Sequence, residues 1–172
     1  MTLTPRLRKL ALTVHVIASV GWLGSVAAFL ALAVAGLRSH DIQTVRAAYL
    51  AMKLTTWFVI VPVAFVSLLS GVVSSLGTRW GLLRYYWVLV KLLITGFSVV
   101  VLMVHTQPID LLATVAAEKT VLGGDLQSSQ LMMVVASGLA VLALVVMTAL
   151  SVYKPQGMTW YGARPQRTEL DA

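Results

Sequence analysis

The sequence predicts an all-α protein, a four-helix transmembrane bundle with both termini on the cytoplasmic side and a short interfacial helix in the third loop. Two observations lead there. The 172 residues are 59% hydrophobic and only 11% charged, whereas a soluble domain carries roughly 25% charged residues. The apolar residues also fall into four runs, each reaching the ~20 residues that span ~30 Å of hydrocarbon as a helix. Strands of a membrane barrel would be shorter and alternate in polarity. In lipid, a helix satisfies its own backbone hydrogen bonds.

The first run covers about 10–37, after Arg6, Arg8 and Lys9. It is too long for a signal-peptide core and ends without a small-residue cleavage site. Ser39-His40-Asp41 then reads as a helix start. Beyond it Ile42, Val45, Tyr49 and Met52 recur at helical spacing, so the second helix begins outside the bilayer before the second span, about 49–76. Gly77 to Arg84 forms a tight loop, and the third span covers about 85–105.

The longest connection runs from Thr106 to Gln130. Pro108 suits the first turn of a short helix. Leu111, Leu112 and Val115 would share one face and Asp110 and Glu118 another, as in a helix lying on the membrane surface that ends at Gly123-Gly124. The fourth span covers about 131–153, followed by a polar tail, 156–172, expected to be mobile. The whole chain, 1–172, is one domain.

The net charge of +7 would suggest nucleic acid in a soluble protein. Here the basic residues flank apolar runs, which points to anionic headgroups and topology control instead. Arg6, Arg8, Lys9, Arg79, Arg84, Lys154, Arg164 and Arg167 lie on one side, and Arg38, Arg46, Lys53 and Lys119 on the other. Eight against four makes the first side cytoplasmic. Trp80, Tyr85, Tyr86, Trp87 and Tyr153 cluster at that boundary, as an aromatic belt does. The absence of cysteine excludes disulfides, thiolate metal sites and a thiol nucleophile.

Ionisable groups inside spans are functional candidates because lipid penalises them. His15 lies six residues past Lys9 on helix 1, and Lys91 six past Tyr85 on helix 3. Each is roughly 9 Å in from the same side, so the two share one layer. His15, Ser19 and Trp22 form one stripe, and Lys91, Thr95, Ser98 and His105 another. Both stripes are expected to face the bundle interior. The bland readings are a snorkelling lysine, a histidine bonded to a neighbouring helix, a solvated His105 and a packed Trp22. Gly21, Gly24 and Gly71 allow close helix approach and offer faces for homo- or hetero-oligomers.

On the outer side Met52, Met103, His105, Met132 and Met133 come near one level, and thioether and imidazole suit copper(I). Met103 and His105, however, are about 200° apart on a regular helix. No carboxylate lies inside a span, which argues against a proton-coupled transporter.

The pattern His15-x6-Trp22-x-Gly24 resembles the opening helix of a broad group of small bacterial membrane proteins, among them CopD-type copper-resistance proteins and HemJ-type protoporphyrinogen oxidases. Trp87-x3-Lys91-Leu92 resembles the group's third helix. Gly77-Thr78-Arg79-Trp80-Gly81 and Ser151-Val152-Tyr153-Lys154-Pro155 are more similar to a subgroup of bacterial integral membrane proteins without an assigned activity.

The HemJ likeness implies haem b held by a bundle histidine with a helix-3 lysine, which here means His15 as iron ligand and Lys91 supporting a propionate or the iron. The second helix and the tail depart from that type, so its oxidase reaction is not carried over. The expectation is a haem-binding or redox-associated protein of the bacterial inner membrane. Its rivals are a non-enzymatic accessory or scaffold subunit and a copper-handling protein. The lipid bilayer is the expected partner, and nucleic acid is not.

Overall fold

The computed structural model describes residues 4–76, 85–117 and 124–153; at 105, 108, 110–117 and 124–127 only the backbone is described. Helix α1 (Pro5–Arg38) opens on Thr4, whose hydroxyl accepts from the Leu7 amide, with Pro5 in the first turn where its missing N–H is no loss. It closes at Ser39. The Asp41 carboxylate then accepts from the amides of Gln43 and Thr44 and from the Thr44 hydroxyl, starting α2 (Ile42–Thr55) where Ser39-His40-Asp41 predicts.

Helix α2 continues through a single wide π-turn (Thr56–Ile60) into α3 (Val61–Leu76). Pro62 follows that turn, and a proline lacks the amide that regular α-geometry would use. The buried Thr56 hydroxyl bonds back to the Met52 carbonyl. The second span is thus one rod of 35 residues. The sequence pattern gives no signal of the turn inside it.

Helix α4 (Tyr86–Ala117) contains the third apolar span, Tyr86–Val104, close to the expected bounds, and extends through 106–117, where a separate surface helix is expected. It runs unbroken across Pro108. Val99, Thr106 and Ile109 are all buried, at i, i+7 and i+10, so the core-facing stripe continues past position 105. Helix α4 packs on α2 as well as on α3. This tertiary packing overrides proline's preference for a first turn. The Thr106 hydroxyl bonds to the Met103 carbonyl in the turn before the proline, as hydroxyls in membrane helices do. Helix α5 (Gly124–Tyr153) starts at Gly124, earlier than the expected 131. The tail and residues 77–84 lie outside the described residues.

Among the described residues four helices are long and apolar enough to cross a membrane: Pro5–Arg38, Ile42–Leu76, Tyr86–Val104 and Ser128–Tyr153. Helix α1 packs on α2, α3 and α5, and α4 packs on the same three. The four rods therefore form a ring in which α1 and α4 are diagonal. The core runs along the ring's axis through Trp22, Val26, Phe29 and Ala33 of α1, Tyr49 and Met52 of α2, Ala64 of α3, Val99 of α4, and Met133, Leu144 and Met147 of α5. Large apolar residues such as Ile17, Phe58, Phe97 and Leu142 face outward. In water they would form patches far larger than a soluble monomer shows; in a bilayer they meet acyl chains.

Candidate functional site: the polar layer at one end of the bundle

Ring order and direction bring the start of α1, the end of α3, the start of α4 and the end of α5 to one end of the bundle. The polar side chains expected there turn to neighbouring helices, half-buried, and form two groups.

The first joins α1 to α3. His15 is half-buried, and its Nδ1 lies 3.0 Å from the Ser67 carbonyl oxygen and 3.2 Å from Ser70 Oγ. A carbonyl only accepts, so Nδ1 carries the proton. The Ser70 hydroxyl already donates to the Val66 carbonyl at 2.6 Å, so its oxygen is free to accept from the same Nδ1–H. One helical turn deeper, the Ser19 and buried Ser67 hydroxyls pair at 3.1 Å.

Gly71 makes room for the ring. A methyl group there would stand 3.0 Å from His15 Cε1 and 3.3 Å from Nδ1. The tautomer leaves the Nε2 lone pair open, and among the described residues Nε2 has no hydrogen-bond partner. It is also not sealed off: the buried, unpartnered side-chain polar atoms are Tyr49 Oη and Ser74 Oγ.

The second group joins α4 to α5. Lys91 Nζ donates to Ser151 Oγ at 2.5 Å and stands 5.9 Å from the centre of the Trp87 ring. The Ser151 hydroxyl donates onward to the Met147 carbonyl, and Thr95 Oγ1 approaches Met147 Sδ at 3.2 Å. Among the described residues no carboxylate pairs with Lys91. No hydrogen bond joins Lys91 to His15, because their helices are diagonal and each turns to a different neighbour.

Other expected residues fall as follows. Trp22 is buried in the core. Ser98 is half-buried. Gly21 meets Val63 at an ordinary 3.7 Å, and Gly24 faces open space, so among the three expected glycines close approach rests on Gly71. On the outer side Met52 and Met133 are core residues, Met132 is 48% exposed and Met103 half-buried. The side chain of His105 lies outside the described set.

Sequence reasoning missed Ser67, Ser70 and Ser151. Ser67, Ser70-Gly71 and Ser74 repeat at i, i+3/i+4 and i+7 on the second span, a stripe as regular as the one on α1 that was noticed. Ser151 gave no signal of its own.

No protein-family model matches the chain, and no match is found among curated proteins or solved structures.

Proposed function

We propose that the chain is a multi-pass protein of the bacterial inner membrane, with both termini cytoplasmic, that binds haem b through His15. One observation carries the reading. The imidazole is held by Nδ1–H on a backbone carbonyl, which is how ligand histidines are fixed in orientation and tautomer, while Nε2 is left with its lone pair and no partner among the described residues. These residues fit an axial ligand. The Ser67 carbonyl orients the ring, Ser70 adds a second acceptor, and Gly71 sets how closely α3 approaches. Bound haem would supply redox chemistry.

The orientation is supported by the excess of Lys and Arg at the termini and the second loop. Nearby Lys91 makes this end of the bundle positive, which suits an anionic cofactor. The likeness of His15-x6-Trp22-x-Gly24 to HemJ-type proteins agrees with this reading. No reaction is assigned.

A second reading is favoured by the paired bonds His15–Ser67 and Ser19–Ser67: a scaffold subunit whose polar stripes clasp α1 to α3. Absorption spectra of detergent-purified protein from haem-replete cells separate the two. The haem reading expects a Soret band that His15→Ala abolishes. The clasp reading expects a colourless wild type whose His15→Ala variant only melts earlier.

A further inference from the structure

The Lys91 group has a property that haem ligation by His15 does not use. An ammonium has three donors; Lys91 spends one on Ser151, and its remaining charge lies towards the face of Trp87. The group sits between α4 and α5, five residues into α4 and two from the end of α5, so about 8 Å and 3 Å from the helix ends. Tyr86 and Tyr153, 55% and 83% exposed, mark the same level, where tyrosines sit at headgroup depth.

The same end carries Arg6, Arg8 and Lys9, all exposed. Among the described residues it has no acidic side chain: Asp41, the one described carboxylate, caps the opposite end. An ammonium at the boundary between headgroups and acyl chains, with no carboxylate partner among the described residues, suits an oxyanion of the headgroup layer. A partner arriving there must also have a body that tolerates lipid.

We propose that Lys91, with Ser151 and Trp87, forms a binding site along the α4–α5 seam for the phosphate of an anionic membrane lipid. The phosphate accepts the free donors of the ammonium, and the acyl chains lie along the outward apolar residues Val90 and Leu93 of α4 and Val145, Val146 and Val152 of α5, all exposed. Ser151 fixes the ammonium from one side, its own proton being committed to the Met147 carbonyl. The site is independent of His15 and stands whether or not haem binds.

The test is native mass spectrometry of the delipidated full chain in detergent, with three probes: dioleoyl phosphatidylglycerol, dioleoylglycerol, which lacks the phosphate, and inorganic phosphate. The expected result is one phosphatidylglycerol held per chain, bound at least about fivefold more weakly by Lys91→Gln, held by Lys91→Arg, and unchanged by Arg38→Gln at the opposite end. Dioleoylglycerol is not held, and inorganic phosphate does not displace the lipid.

Equal retention by wild type and Lys91→Gln overturns the proposal. So does displacement by inorganic phosphate, which makes the ligand a free anion. Loss of the Soret band in Lys91→Gln with the lipid retained also overturns it, since the oxyanion is then a haem propionate. If Lys91→Gln does not fold, the wild type decides: dioleoylglycerol held as well as phosphatidylglycerol overturns it.

Discussion

His15 Nδ1 stands 3.0 Å from the carbonyl oxygen of Ser67, a bond across 52 residues of sequence that fixes both a helix pair and a tautomer. Because the acceptor is backbone, no side-chain substitution at position 67 removes it. Ser67→Ala deletes only the Ser19–Ser67 hydroxyl pair. Interhelical hydrogen bonds in membranes are worth about 0.6 kcal/mol on average, so Ser67→Ala is predicted to lower stability by about that much in thermal melts in detergent, and to leave any His15-dependent absorbance in place. Loss of the absorbance in Ser67→Ala would show that the hydroxyl, not the carbonyl, orients the ring.

Gly71 gives a sharper steric test. An added methyl meets His15 Cε1 at 3.0 Å, so the ring, held by its bond to Ser67, must shift to make room. Gly71→Ala is predicted to destabilise by about 1–3 kcal/mol, even though alanine is the better helix former by about 1 kcal/mol. Gly24→Ala, with nothing within 4 Å, keeps only the propensity gain. Opposite shifts in melting temperature are expected, and a stabilised Gly71→Ala would contradict the packing.

Tyr49 carries a cost of the opposite kind. It is 2% exposed, and its buried hydroxyl has no hydrogen-bond partner among the described residues, lying 3.1 Å from where a methyl on Gly36 would stand. An unmet buried hydroxyl costs about 1–3 kcal/mol. Tyr49→Phe is therefore predicted to raise stability by about 1 kcal/mol, read from the same melts. Gly36→Ala should destabilise in either background, since ring carbon Cζ also lies at 3.1 Å. A less stable Tyr49→Phe would mean that the hydroxyl has a partner after all.

Asp41 sets the pH dependence. The hydrogen bonds from Thr44 and Gln43 hold its carboxyl below the usual value of 3.8. A depressed carboxylate contributes stability that is fully present above the unfolded value and is lost as pH falls through the lower native one. The gap in melting temperature between wild type and Asp41→Ala is thus expected to be constant from pH 7 to about 5 and to close below 3.8. A gap that widens on acidification would refute the cap.

The four rods were legible because hydrophobic run length in lipid leaves one solution, and the start at Asp41 was legible because its chemistry is local. The course of α4 past Pro108 was not, since it depends on burial of Thr106 and Ile109 in the core, which no local pattern encodes. That His15 and Lys91 each find a polar partner on an adjacent helix accords with the penalty lipid sets on an unpartnered group. Their separation was not legible: depth along a helix places residues in one layer, while the diagonal of α1 and α4 is a matter of ring order. Ser67 escaped notice because its carbonyl, which every residue possesses, does the bonding.

Imidazole rescue tests the central claim most directly. His15→Gly removes the ring and leaves a space its size beside Gly71, with the Ser67 carbonyl still in place. Titrating imidazole into the purified, haem-supplemented variant while recording the Soret region is predicted to restore the band lost on substitution. A wild type that takes up no haem, or a variant whose haem spectrum equals that of the wild type without imidazole, would contradict it.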